Sequence, residues 1–429
     1  MHPADEGGGT GRHVHRGRLH LVRQRGVPPD GPAQRLPARR RTQEDRLQTG
    51  TPDRPGHLPA HLPAELRPLR RQPAGRRTRP PHRGDLTVTV PAPSGSAAFD
   101  RHVAAQPDAV AALLDTELPA LDPARPLLFT GIGTSLHACR TAAAWVRLLS
   151  GGTVRAAAVD AHDLALTERV TPADQVVVVS HRGTKTFPNE VLRLAAEAGA
   201  TTIAITGDGA HAPLADTLLR TCPQEKASTH TVSYVTALTL LARLVAAYLG
   251  DRAEPLTEAL RTVPDALRRT LDLPLAPAAV DTLAEATAPV LVAGTGLDAI
   301  TAAEAALKIK EGTYRWAEAL HTEFALHGTP AVFTSSTAGF LIRPAWSDGG
   351  RTDDLGTLLR ALGAPVFLCD TEASAALPFA PVPDLVRPLV TVVPFQRLVS
   401  AAAARTGASP DLTHLEAEPW ASALRAVTL

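Results

Sequence analysis

Lysine is nearly missing from this chain. Its 429 residues carry 44 lysines and arginines, and only Lys185, Lys226, Lys308 and Lys310 are lysine. Arginine supplies the general surface cation, so a lysine that persists against this bias marks a place where an ammonium has a task. Cysteine is almost as scarce. Cys139, Cys222 and Cys369 lie far apart and form neither a CxxC zinc pattern nor an even disulfide framework, which points to a reduced, cytoplasmic compartment. Met1 is the sole methionine, and aromatic residues make up 4% of the chain. Neither sign of charge prevails, the net charge being +1. No run of about 18 apolar residues suggests a membrane-spanning helix. No apolar stretch follows the N-terminus as a secretory signal requires.

Composition changes along the chain. Residues 1–86 are rich in Arg, Pro, His and Gly, without lysine and with few long apolar residues. Three readings stay open for this segment (1–87 as a unit). The clusters His13-Val14-His15-Arg16, Arg39-Arg40-Arg41 and Arg70-Arg71 could pair with nucleic-acid phosphates. The same composition suits a disordered tail unable to form a core. The third reading is a mis-assigned start, with translation beginning at the codon of Val88 or Val90. A nucleic-acid partner is the least favoured of the three.

Beyond Val88 the chain turns to Ala, Leu and Val, and strand and helix patterns alternate. Pro91–Ser96 reads as a loop and Ala97–Leu118 as a helix stopped by Pro119. Strands are expected at Leu127–Thr130, Val154–Val159, Gln175–Val179 and Thr202–Thr206. Helices are expected from the Gly131 turn to Leu149, at Glu190–Ala198 and at Val232–Leu249. Helices around Pro255–Leu271 and Pro277–Thr287 lead into a second series. It comprises strand Val290–Ala293, helix Ile300–Trp316, strands near Ala331–Phe333 and Gly339–Ile342, helix Asp353–Leu362, strand Val366–Cys369 and a last helix from Pro394 to about Thr406. A strand, a glycine turn and a helix thus recur after about 160 residues, which suggests duplicated α/β domains with mostly parallel, doubly wound sheets flanked by helices. The expected boundaries are 88–250, a helical linker 251–276, and 277–429.

Ligands of such sheets bind beyond the carboxyl ends of the strands, where both glycine turns fall. Gly131-Ile132-Gly133 and Gly294-Thr295-Gly296 hint at a dinucleotide turn, but Leu136 and Ala299 stand where GxGxxG needs its last glycine. Neither NAD nor any other cofactor or metal is expected. Gly133-Thr134-Ser135 and Ser180-His181-Arg182-Gly183-Thr184-Lys185-Thr186 instead offer backbone N–H groups and hydroxyls suited to an anion. Ordinary helix capping by Ser or Thr would explain any one of them. Two such turns at adjacent strand ends favour a phosphate. Arg182 and Lys185 would tighten anion binding or accommodate a second acidic group, or they point to solvent. Lys226, two residues before Ser228 and Thr229, is a further unusual cation.

The segment Lys308-Ile309-Lys310-Glu311 followed by Glu318, His321 and His327 has the parts for proton transfer. Lys308 and Glu311 share a helix face. By itself such a pair is more often a surface ion pair worth well under ~1 kcal/mol.

Five stretches in order resemble the tandem sugar-isomerase (SIS) domain family, in particular the isomerase half of the glucosamine-6-phosphate synthases, over about Phe99 to Thr413. They are Arg101-His102-Val103-Ala104-Ala105-Gln106-Pro107, Gly131–Ser135, Ser180–Lys185, Ala227-Ser228-Thr229 and Ala306–Gly328. The resemblance implies that Glu311 moves a proton between C1 and C2 through an enediol. Lys308 would hold Glu311 ionised or stabilise enediolate charge. His327 would open the sugar ring from the neighbouring subunit of a homodimer, and Glu318 would be a supporting glutamate. His321 and Lys310 are expected to be surface or support residues.

The chain departs from the family in two places. The family loop Ser-x-Ser-Gly-x-Thr is replaced here by one carrying Arg182 and Lys185. The family's tail lysine, which forms an imine with the open ketose, has no counterpart after Lys310, so an imine would need Lys226 or Lys185. Residues 1–86 cannot supply a glutaminase domain, and no separate glutaminase subunit is indicated. The expectation is a metal-independent aldose–ketose isomerase acting on a hexose or aminohexose phosphate. A glucosamine-6-phosphate-type deaminase, an ammonia-dependent fructose-6-phosphate aminotransferase and a non-catalytic sugar-phosphate sensor stay open beside it.

Overall fold

The run Gln175–Val179 shows how the sheets are built. Val177 and Val179 join one buried cluster, while Val176 and Val178 join another, because successive side chains of a strand point to opposite faces. Such a strand is apolar on both faces and belongs inside a parallel sheet covered by helices on each side. A computed structural model describes residues 96–427. The expectations for residues 1–87, the Val88 or Val90 start and the loop before Ser96 lie outside the described residues.

The chain begins with α1 (Ala97–Ala111) and continues through β1 (Leu127–Gly131), α2 (Thr134–Leu149), β2 (Ala156–Asp160), α3 (Ala161–Thr167), β3 (Gln175–Val179), α4 (Thr186–Ala198), β4 (Thr201–Asp208), β5 (Thr217–Pro223) and α5 (Val232–Leu249). Three helices follow: α6 (Glu254–Arg261), α7 (Val263–Asp272) and α8 (Pro277–Glu285). The second series is β6 (Val290–Gly294), α9 (Leu297–Thr313), β7 (Ala317–His321), α10 (Thr322–Leu326), β8 (Gly339–Ile342), α11 (Arg351–Ala361), β9 (Val366–Asp370), β10 (Leu377–Pro378), α12 (Arg387–Thr406) and α13 (Trp420–Arg425).

The first sheet has the order β2-β1-β3-β4-β5 and the second β10-β9-β8-β6-β7. Read from β7, the second order repeats the first strand for strand, and every pairing in both sheets is parallel. Val290, Val292, Phe340 and Ile342 face the same cluster as Val177 and Val179, which also takes in buried residues of α2, α5, α9 and α12. The opposite faces are closed by α3 and α4 on the first sheet and by α10 and α11 on the second. Each buried Val, Ile or Leu contributes about 1.5–3 kcal/mol. Val232–Asp272 and Asp384–Thr406 are long and apolar enough to cross a membrane, but 83% and 78% of their apolar windows are buried in the fold, which makes them core helices.

Several local expectations are corrected. The expected strand near Ala331–Phe333 is a 3-10 turn, Thr329–Val332. Val332 is 71% exposed, so only Phe333 has an apolar face to join. The strand beside β6 is instead β7, whose Glu318 and His321 mask the apolar alternation of an edge strand. The first helix ends at Ala111 rather than Leu118, because the Arg243 guanidinium takes the carbonyls of Leu113 and Thr116. The last long helix begins at Arg387, not Pro394, which lies inside it. Burial of Leu389, Val390, Val392, Val393 and Phe395 outweighs the hydrogen bond that Pro394 cannot make. The helix expected to reach Trp316 stops at Thr313, with Tyr314 left-handed at φ 60°.

Candidate active site

In the first sheet β1 lies between β2 and β3, so the chain leaves β1 toward one neighbour and returns on its other side. A crevice opens at such a switch point, outside the carboxyl ends of the strands. Gly131–Ser135 leaves β1 and Ser180–Lys185 leaves β3 at this place. Two glycines let the turns form. Gly133 has φ +57°, and Gly183 has φ +66° with no room for a Cβ, which would strike the His211 carbonyl. The amide of Asn189 donates to Gly183 O at 3.1 Å and steadies the loop.

A cleft of about 490 Å³ occupies this position. Gly133, Thr134 and Ser135 line it from the first turn, and Ser180, His181, Arg182 and Lys185 from the second. Ser228 and His230 come from the approach to α5, and Lys308 and Glu311 from α9. Thr413, Leu415 and Leu424 of the C-terminal segment complete the wall. Ser180 is 5% exposed, and its Oγ is buried with no hydrogen-bond partner among the described residues.

The chemistry concentrates on α9. Lys308 Nζ donates to Glu311 Oε2 at 2.6 Å and to Thr134 Oγ1 at 3.0 Å, and lies 3.5 Å from Glu304 Oε1. Glu304 in turn accepts from Thr134 Oγ1 at 3.0 Å and meets His137 Nδ1 at 2.7 Å. The Lys308 side chain is 1% exposed and that of Glu304 0%, whereas Glu311 is 32% exposed toward the cleft. Burial would lower the lysine pKa, but Glu311 and Glu304 outweigh it and hold the ammonium above its ordinary range. Burial likewise raises the Glu304 carboxyl, yet the Lys308 charge and the bonds from His137 and Thr134 overcome it and keep the group ionised. Lys308 is therefore a fixed cation, and Glu311 is a positioned carboxylate with one oxygen bound.

Behind the anion turns sits a second polar cluster. His181 Nε2 accepts from Glu225 N at 3.1 Å, and its ring meets that of His230 edge-on at 5.0 Å. Glu225 accepts from the N–H groups of Thr231 and Ser233 at the start of α5, and His102 Nδ1 is 3.2 Å away. Burial raises the Glu225 carboxyl, but His102, His230 and Ser233 bring it down to about 2. Burial also lowers His181, and takes His230 down to about 4, so burial favours the neutral form of both rings.

Other residues singled out in the sequence lie elsewhere. Thr184 and Lys226 are exposed and outside the cleft lining. Thr229 is buried, its N–H bound to Pro410 O at 3.0 Å, so it anchors the C-terminal segment. Glu318 is exposed on edge strand β7. His327 is 69% exposed beside Glu323, outside the cleft lining. Lys310 and His321 are exposed. Sequence reasoning passed over Glu304, His137, Glu225 and His230. Glu304 carried a usable signal, since it lies four residues before Lys308 and seven before Glu311 on one helix face.

The corresponding switch point of the second sheet carries an ion pair and an aromatic ring. Arg387 and Asp298, 4% and 1% exposed, pair there at 2.9 Å, and Arg387 also donates to Arg343 O. A Cβ at Gly296 would lie 2.9 Å from the Trp346 ring. Of the two glycine turns, the first lines the cleft.

Residues 120–247 match the SIS domain family. Among solved structures the chain is similar to the C-terminal domain of glucosamine-fructose-6-phosphate aminotransferase from Francisella tularensis, with 20% identity over 73% of this chain and 97% of that one and a TM-score of 0.64. It is also similar to glucosamine-6-phosphate deaminase from Thermotoga maritima (20% identity, 73% and 97% covered, TM-score 0.58). A third similarity is to tagatose-6-phosphate ketose/aldose isomerase from Escherichia coli (18% identity, 74% and 97% covered, TM-score 0.58). No curated protein matches the chain in sequence. At these identities the likeness establishes the fold: two parallel five-stranded sheets flanked by helices, as in SIS-domain structures.

Proposed function

We propose that the protein is a phosphosugar aldose–ketose isomerase acting on a hexose or aminohexose phosphate, built from tandem SIS domains (88–250 and 277–429, joined by 251–276) and working as a cytoplasmic homodimer. One observation carries this reading. Glu311, held by Lys308 at 2.6 Å, shares a cleft with two helix N-terminal turns, the second of which bears the Ser180 hydroxyl, without a partner among the described residues. The turns and Ser135 hold the phosphate. Glu311 removes the C2 proton of the open aldose, the electron pair moves toward the C1 oxygen to form an enediolate, the O2 hydroxyl proton passes to O1, and Glu311 returns its proton at C1 to give the ketose. The Lys308 ammonium faces the developing negative charge. Ring opening is assigned to His327 of a second copy, which fits its exposure outside the cleft of its own chain.

The resemblance implies that the aminotransferase holds the open ketose as an imine of a tail lysine, and that step would need a free amine here. Lys308 is buried between two carboxylates and Lys226 is outside the cleft, which leaves Lys185 for that task. The isomerase needs no imine and is therefore preferred. The test is proton exchange in deuterated water with a panel of hexose and aminohexose phosphates, followed at C1 and C2 by NMR, with Glu311→Gln as control. Exchange lost in the control supports enediol chemistry. Ligand binding with no exchange for any sugar favours a sensor, and exchange accompanied by ammonia release favours the deaminase.

A further inference from the structure

Charge in the cleft is unevenly matched. Three cations line it, Arg182, Lys185 and Lys308, against one carboxylate, Glu311. Lys308 is already neutralised by Glu311 and Glu304. Arg182 and Lys185 form no ion pair among the described residues, and both are exposed on the loop between β3 and α4. A phosphate monoester does not require them. The first N–H groups of α2 and α4 have no intrahelical acceptor. Together with Ser135 and the buried, unpartnered Ser180 Oγ they form a neutral cradle of the kind that holds a phosphate. Arg182 and Lys185 are therefore two cations in excess of what that cradle needs, carried on a loop that Gly183 and Asn189 fix in place.

We infer that the cleft takes a sugar phosphate bearing a second acidic group, with the first phosphate on the α2 and α4 turns and the second acid paired with Arg182 and Lys185. The inference rests on the phosphosugar reading above and adds the charge class of the substrate. A carboxylate and a second phosphate share the required chemistry. Arg182 can grip either with two parallel hydrogen bonds, and Lys185 adds a point charge.

Calorimetric titration of the full chain tests it with three probes: fructose 6-phosphate, fructose 1,6-bisphosphate and 6-phosphogluconate. The expected result is at least about ten-fold tighter binding of one or both doubly acidic probes, the size of one charge-assisted hydrogen bond, with a margin that narrows at high salt. The pair of substitutions Arg182→Ala and Lys185→Ala should remove that margin, while Ser180→Ala should weaken all three probes alike. Both cations are exposed, so the double variant should keep the wild-type melting temperature, which is the folding control. Whichever doubly acidic probe binds tighter identifies the second acid. Equal binding of all three, or an equal loss for all three in the double variant, would overturn the inference and assign the cations to the first phosphate. Binding of none would overturn the phosphosugar reading itself.

Discussion

Lys308 and Glu311, one helical turn apart, are joined by a 2.6 Å hydrogen bond at the floor of the cleft, the lysine fully enclosed and the glutamate open to it. The lysine fixes one carboxylate oxygen and leaves the other free for a substrate proton. Glu311→Gln keeps the shape and removes the base. Deuterium exchange into a bound sugar phosphate should fall by about 10²–10⁴-fold, while calorimetry finds the ligand still bound. Exchange at the wild-type rate would remove Glu311 from the chemistry.

The same lysine has a structural duty toward Glu304. Lys308→Met would leave the buried Glu304 carboxylate without its counter-ion, at a cost of about 3–5 kcal/mol. Adding Glu304→Gln should recover much of the loss, because the remaining group is neutral and can still bond Thr134 and His137. Urea unfolding of the two singles and the double measures the coupling.

The exposed His327 leads to a complementation experiment. If a second copy supplies this imidazole, Glu311→Gln and His327→Ala should each be inactive alone. Mixed after dissociation, random pairing of a two-fold dimer should restore about a quarter of wild-type activity. No recovery in mixtures shown to exchange subunits would assign ring opening to a residue of the same chain.

Asp411 ties the C-terminal segment to the start of the described chain. Its carboxylate accepts from Phe99 N at 2.8 Å and Ala98 N at 3.0 Å at the beginning of α1. Beyond it, His414 stacks between Tyr314 at 3.6 Å and Trp420 at 4.2 Å. Asp411→Ala removes a helix cap worth about 0.5–2 kcal/mol and should loosen the segment that brings Thr413 and Leu415 to the cleft. Thermal unfolding should show the first effect, and faster proteolysis after Arg405 the second.

Acid should destabilise the fold in two steps. The His230 pKa is lowered to about 4, so between the ordinary histidine value and pH 4 the unfolded chain binds the proton and the folded one does not. Stability therefore falls as pH drops through that window. The groups acting on His230 are Glu225, Lys308, His181 and Arg182. Glu225, lowered to about 2, contributes stability that is complete above the ordinary carboxylate range and is lost as pH falls toward 2. His230→Gln should reduce the upper step, on the order of 1–3 kcal/mol, and narrow the lower one, since His230 helps hold the Glu225 carboxyl down. Denaturant midpoints across pH 7 to 3 would show whether it does.

Much of this protein follows from residue order alone. Val176–Val179 and Val290–Ala293 are strands because runs of that length and branching suit a sheet buried on both faces, and the glycine turns after β1 and β6 are local. Lys308 and Glu311 meet because a helix brings residues three apart together. Relationships across long separations were decided by tertiary packing. Thr134 reaches Glu304 over 170 positions only because α2 packs against α9. Both glycine turns looked alike in the sequence, yet Arg387 and Trp346, distant in the chain, pack at the second, the guanidinium pairing with the nearby Asp298, whereas the first lines the cleft. Spacing along a chain encodes periodicity, which is local. Whether a turn becomes a site depends on which distant side chains fill it, and only the folded packing settles that.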